Sequence, residues 1–328
     1  MPGHIGEFGM IKVENLSKSF GPKLAVNDVS FTVERGEVLG FLGPNGAGKS
    51  TTMRMITGFI PPTAGKVAVG GFDIVNDPLP AKRLIGYLPE NAPAYTDMTV
   101  EGFLNFCAEL RGLRGDARNK AVNDVVEMCF LESVRYQSVD TLSKGYRHRT
   151  CFAQAILHDP DVLVMDEPTD GLDPNQKHEV RALIRRMGEK KAIIFSTHIL
   201  EEVEAVCSRA IIIDRGQIVA NGTPQELKAK SEMAGTVLLV ARGVAGNQVV
   251  ERMSGLSSAR KTTIVTEEKG KVCARVYPKA SAQNGELARQ VFAASSGWQV
   301  EEVRTDEGRL DEVFRSITLP DTTKEAAK

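Results

Sequence analysis

The stretch Gly43-Pro44-Asn45-Gly46-Ala47-Gly48-Lys49-Ser50 decides how the rest of this chain is read. Two glycines separated by four residues and followed by Lys-Ser form the P-loop pattern. Residues without side chains let consecutive backbone N–H groups curl around phosphate oxygens. A helix starting near Gly48 and running through Thr51 points its positive end at the same oxygens. Lys49 adds a formal charge toward the β- and γ-phosphates of a nucleotide, and Ser50 offers its hydroxyl to Mg2+. The bland alternative is a Gly-rich turn with Lys49 merely exposed. Context argues against it, because Val38–Leu42 before the loop reads as an apolar strand and Thr51–Phe59 after it as a helix.

Outward from the loop, Val162–Met165, Ile193–Ser196 and Ala210–Asp214 are further short apolar runs. Strands buried on both faces imply a largely parallel sheet covered by helices. Lys177–Gly188 and Leu200–Ser208 have helical pattern, and between Asn91 and Leu157 helical signals replace strand signals. That stretch reads as a helical insert within one α/β domain. Asp166-Glu167 closes the strand Val162–Met165. In a phosphate site, Asp166 is placed to hold Mg2+ and Glu167 to polarise an attacking water. Alone, such a pair is as easily a solvated turn; beside a P-loop it is the second half of a nucleotide site.

The bulk composition sets limits. Formal net charge is −1, with 41 basic against 42 acidic residues, so nothing asks for nucleic acid or an anionic surface as partner. Five scattered cysteines lack metal-ligand or disulfide-framework spacing and read as reduced thiols. No apolar run approaches the ~18–20 residues of a membrane span, so membrane contact is expected through another chain. Met1–Gly9 has neither a basic start nor an apolar stretch and is read as lying outside the fold.

The discriminating residues are Leu142-Ser143-Lys144-Gly145-Tyr146-Arg147-His148-Arg149, shortly before the acidic strand. They resemble the ABC signature, whose usual form is Leu-Ser-Gly-Gly-Gln followed by x-Gln-Arg. Asp170-Gly171-Leu172-Asp173 resembles the D-loop, Ser196-Thr197-His198 the switch histidine, and Phe20 the aromatic that stacks on adenine. The likeness runs in order over about residues 11–227. It implies an ABC ATPase subunit that uses ATP and Mg2+, with Glu167 and His198 orienting water. It also implies head-to-tail pairing, with Ser143, Lys144 and Gly145 acting on the nucleotide held by a second subunit. Each residue has a plainer reading: Ser143 as a helix N-cap, Phe20 as core, His198 as a histidine at a strand end. Departures are Lys144 for a glycine, Tyr146 and His148 for two glutamines, and Glu90 at the Q-loop position. A carboxylate cannot donate the hydrogen bonds of an amide. These variants, with the continuation Asp173-Pro174-Asn175-Gln176, resemble ABC-2-type export ATPases. That implies a cytoplasmic protein, peripheral on the membrane, paired with a second ATPase subunit and transmembrane permease subunits.

After residue 230 the composition changes. Strand-like and helix-like runs follow the order β-α-β-β-α-β, with Lys269-Gly270 in a hairpin turn, which suggests a small α+β, ferredoxin-like domain over 236–318. The whole is expected as an α/β ABC ATPase domain over 10–230, with a helical subdomain near 91–157, then the accessory domain and a disordered tail over 319–328. Two rival functions share this chemistry: a soluble ABC ATPase acting on ribosomes or DNA, and an importer ATPase with a regulatory C-terminal domain. The first usually carries two cassettes or a long coiled-coil insertion, and this chain shows neither.

Overall fold

The computed structural model describes residues 9–318 except 92 and 284. The expectations for residues 1–8 and 319–328 fall outside that range. The chain divides into two compact units, one ending at Pro224 and the other beginning at Gln225.

The first unit opens with strands β1 (Ile11–Phe20), β2 (Lys23–Val33) and β3 (Val38–Leu42), then helix α1 (Lys49–Ile56). Next come β4 (Ala64–Val69), β5 (Phe72–Asp73), α2 (Pro78–Arg83) and β6 (Ile85–Leu88). The helical stretch holds α3 (Val100–Leu110), α4 (Gly115–Met128) and α5 (Lys144–Ile156). The unit closes with β7 (Val162–Asp166), α6 (Pro174–Gly188), β8 (Ala192–Thr197), α7 (Leu200–Val206), β9 (Arg209–Asp214) and β10 (Gln217–Gly222). A short helix α8 (Pro224–Lys228) follows.

The main sheet has the order β10-β9-β3-β8-β7-β6, parallel from β9 to β6 with β10 antiparallel at the edge. Every residue of β3, β7 and β8 is buried, as continuous apolar runs require. Register brings the motifs level: Leu42 pairs with Thr197, and Asp166 pairs with Ser196. The segments after β3, β8 and β7 therefore leave from adjacent carboxyl ends, where ligands of open α/β sheets bind. That placement is what the site depends on.

A second sheet, β2-β1-β4-β5, is antiparallel and is an addition to the parallel sheet expected from sequence. Its alternation is broken by a register shift between Val13 and Leu16, where Asn15 takes a left-handed φ of 49°. An extra residue there moves the buried face out of period two, so the strand signal in the sequence is blurred. Helix α6 starts earlier than its apolar pattern, because Pro174 suits a first helical position and Asp173 caps it.

The second unit continues with β11 (Val237–Arg242), α9 (Gly246–Ser254), β12 (Ala259–Glu268) and β13 (Lys271–Pro278). Then follow α10 (Glu286–Ala294), β14 (Gln299–Thr305) and α11 (Leu310–Ile317). Its sheet is wholly antiparallel in the order β12-β13-β11-β14. Lys269 and Gly270, both at positive φ, form the tight turn between β12 and β13. Val237, Leu239 and Ala241 of β11 point to the same core as Val249 and Met253 of α9 and Leu287 and Val291 of α10.

Candidate nucleotide site

The loop after β3 is shaped by what it cannot accommodate. A Cβ on Gly43 would lie 2.4 Å from the Ile213 carbonyl, and one on Gly48 would lie 2.7 Å from the Ala25 carbonyl. Gly46 and Gly48 have φ of 79° and 109°, the left-handed region that costs glycine little. Gly48 caps α1 without a side chain, so the helix's first N–H groups open into the loop. Ala47, buried, accepts through its carbonyl from the Gly216 N–H at 2.8 Å, which ties the loop to the β9–β10 turn.

Lys49 is buried, and its Nζ donates to the carbonyls of Gly43 at 2.8 Å and Pro44 at 3.3 Å. The same ammonium lies 3.9 Å from Glu167 Oε1. Burial lowers the Lys49 pKa, opposed by the carboxylates of Glu167, Asp166 and Glu90. Burial raises that of Glu167, opposed mainly by His198 and Lys49. Both charges are thus held against the cost of desolvation by each other and their neighbours. A carboxylate with a raised pKa is a better proton acceptor.

Glu167 itself sits at φ 52°, uncommon for a residue with a side chain. Its N–H donates to the Ser196 carbonyl at 3.2 Å, and its Oε2 lies 3.0 Å from His198 Nδ1. Ser196 Oγ donates to Asp166 Oδ1, while Asp166 Oδ2 is buried without a hydrogen-bond partner. A cavity of about 400 Å³ opens beside Glu167, its walls formed by Phe20, Asn45, Gly46, Gly48, Lys49, Ser50, Thr51, Glu90 and Glu167, with Lys23 and Ala25; Asp166, Ser196 and His198 stand behind Glu167 and are not part of its walls. Phe20, expected as an adenine platform, stands half-exposed at its rim with Lys18 Nζ 5.2 Å from the ring centroid. A larger cavity of about 630 Å³ lies in the second unit near Pro278 and Asp306, without a glycine-rich loop or buried lysine in its walls.

The sequence pattern of the ABC transporter family matches residues 26–170. Over 223 residues the chain is 39% identical to the "Probable multidrug ABC transporter ATP-binding protein YbhF" of Escherichia coli, covering 68% of this chain and 38% of that one. It is 37% identical over 220 residues to the "Linearmycin resistance ATP-binding protein LnrL" of Bacillus subtilis, covering 66% of this chain and 70% of that protein. The chain belongs to the ABC transporter ATP-binding family. It therefore spans well under half the length of the first relative and over two thirds of the second. A solved "Structure of ATP binding subunit of ABC transporter" superposes with a TM-score of 0.63 at 29% identity, over 67% of this chain and 92% of that one.

The segment Leu142–Arg149, expected as the ABC signature, is absent from the cavity walls and meets a different partner. Ser143 caps α5, accepting from the Tyr146 N–H at 3.4 Å. Lys144 Nζ pairs with Asp170 Oδ2 at 2.8 Å. Gly145 lies so close to Gln176 that a Cβ would be 2.6 Å from its Oε1. Asp173 caps α6 by accepting from the Gln176 N–H at 2.9 Å. The segments Ser143–Gly145 and Asp170–Gln176 are thus packed on each other within one chain. His148, which stands for a family glutamine, is buried with neither ring nitrogen hydrogen-bonded, and burial lowers its pKa.

Sequence reasoning passed over Lys23, Ala25 and Glu202. Glu202 is buried on α7 and accepts from Thr169 Oγ1 and, at 2.7 Å, from Thr197 Oγ1, with Arg181 at 3.4 Å. It links the segment after β7 to the segment after β8. A glutamate in the run Glu201-Glu202 looks like helix surface until the helix is packed.

Proposed function

We propose that this chain is the ATP-hydrolysing motor subunit of an ABC-2-type exporter. The observation that carries the reading is the convergence of Lys49, Glu167 and His198 on the glycine loop at adjacent strand ends. In this reading the loop from Gly43 to Thr51 binds the nucleotide phosphates and Phe20 stacks on the base. Lys49 neutralises phosphate charge, and its hold on two backbone carbonyls keeps the ammonium in place before substrate arrives. Glu167 takes the proton of the attacking water, and His198 fixes the carboxylate that does so. Such a site works by positioning and electrostatics.

Among the described residues no group of three or more His, Cys, Asp or Glu is arranged to hold a metal. The unpartnered, buried Asp166 Oδ2 and the Ser50 hydroxyl nevertheless suit an Mg2+ that keeps water and substrate phosphate as its other ligands. Bound there, Mg2+ would neutralise charge developing on the transferred phosphoryl group. Glu90 faces the same cavity as an additional carboxylate.

The exporter role follows the relatives, which carry multidrug and antibiotic-resistance names. Among the described residues no helix is long and apolar enough to cross a membrane. The chain would then act from the cytoplasmic face, beside transmembrane permease subunits and a second copy of itself. Ser143, Lys144 and Gly145 would face the nucleotide of that copy, with Asp173 in the D-loop between. The domain boundaries follow the same reading: an ATPase domain over 10–230 and an accessory domain over 236–318. The strand order of the C-terminal sheet supports a ferredoxin-like accessory domain.

The test is to isolate the tagged chain from membranes of its source cell in mild detergent. A multi-span permease in stoichiometric amount is the expected companion. Recovery only in the soluble fraction, or on ribosomes or DNA, defeats the transport assignment and leaves the ATPase chemistry standing.

A further inference from the structure

Lys144 is the most conspicuous departure in the signature, because it places a side chain and a charge where the family pattern has glycine. It occupies the first position of α5, at the positive end of the helix dipole, and that helix has no acidic residue in its first turn. A cation there is unfavourable unless something offsets it. Asp170 supplies the offset across a separation of 26 residues, at 2.8 Å. The lysine stem lies flat on Gly171: a Cβ on that glycine would meet Lys144 Cε at 2.4 Å, Nζ at 2.5 Å and Cδ at 2.6 Å. Gly171 also has φ of 68°, a backbone conformation that favours glycine. The Asp170 carboxyl is held below its ordinary pKa, first by the hydrogen bond from Lys144.

We propose that Asp170 is a positioning residue for ATP-driven pairing, holding the Lys144 ammonium within its own chain so that phosphate offered by a second copy must compete for it. The inference rests on the head-to-tail reading given above. The pair is exposed to water, so the competition is modest in size and sensitive to salt. Asp170 then sets the ATP concentration at which two copies close, and Lys144 is the charge that both anions seek.

Sedimentation of the full chain carrying Glu167→Gln, titrated with ATP and Mg2+, reads this directly. Removing the competing carboxylate with Asp170→Asn lowers the ATP concentration for half-maximal dimer by about two- to fivefold, the range of an exposed ion pair. Asp170→Ser, which removes the same charge with a smaller side chain, gives a shift of the same sign. The shift shrinks at high ionic strength and disappears when Lys144→Ala is present. An unchanged midpoint in both Asp170 variants overturns the proposal, as does a shift that persists undiminished in the Lys144→Ala background. A Glu167→Gln chain that stays monomeric at saturating ATP defeats the dimer reading instead, and this proposal with it.

Discussion

Two lysines in this molecule occupy the same local position, the first residue of a helix, and live in opposite surroundings. Lys49 opens α1 behind a left-handed glycine cap, is buried, and binds two backbone carbonyls of its own loop. Lys144 opens α5 behind a serine side-chain cap, is 69% exposed, and binds one carboxylate from another loop. Desolvation fixes the first in place, because a buried ammonium must keep every partner it has. Water screens the second, which is therefore free to exchange partners at little cost. The glycine loop, Lys49, Glu167 and His198 meet inside one chain. Ser143 and Lys144 are exposed, and in the proposed function they meet a nucleotide only opposite a second copy.

That contrast is most sharply tested at Glu167. Glu167→Gln should keep nucleotide binding and lower phosphate release by about 10²–10⁴-fold, the usual worth of a positioned general base. Turnover at the normal rate would remove Glu167 from the reaction. Glu202→Ala comes next. It leaves Arg181 and two threonines without their buried acceptor and should cost the first unit about 3–5 kcal/mol in equilibrium unfolding. A cost below 1 kcal/mol would mean that the segments after β7 and β8 are held by other contacts.

Lys49→Ala should weaken equilibrium nucleotide binding by about 10- to 100-fold, from loss of a charge-assisted hydrogen bond in a buried site. Unchanged affinity would break the claim that burial makes this lysine the fixed member of the pair. The smallest effect belongs to the cap of α5. Ser143→Ala should cost about 1 kcal/mol in thermal or denaturant unfolding, with most of it restored by Ser143→Thr. A larger loss would show that the signature turn depends on more than its cap and its contacts with Asp170 and Gln176.

Much of this protein was legible without coordinates. The glycine loop, the apolar runs of β3, β7 and β8, and the Asp166-Glu167 step each carry their signal in consecutive residues. Local signals survive translation into sequence because backbone sterics and burial on both faces act on neighbours along the chain. Ser143 was legible as a cap for the same reason. The bulged β1 was not, because one extra residue at Asn15 erases the alternation that would announce it.

Strand order was decided only in the tertiary structure. Nothing in the residues of β8 says that it lies between β3 and β7, yet that insertion is what sets His198 against Glu167. The sequence by itself determined which groups are available: a glycine loop with Lys49, the carboxylates of Asp166 and Glu167, His198 at a strand end, and Lys144 at a helix start. Packing decided their states, since burial, partner distance and solvent access depend on residues tens or hundreds of positions away. Lys49 and Lys144 read alike in the chain as Gly48-Lys49 and Ser143-Lys144 helix starts; only the fold makes one a buried fixture and the other an exposed, exchangeable charge.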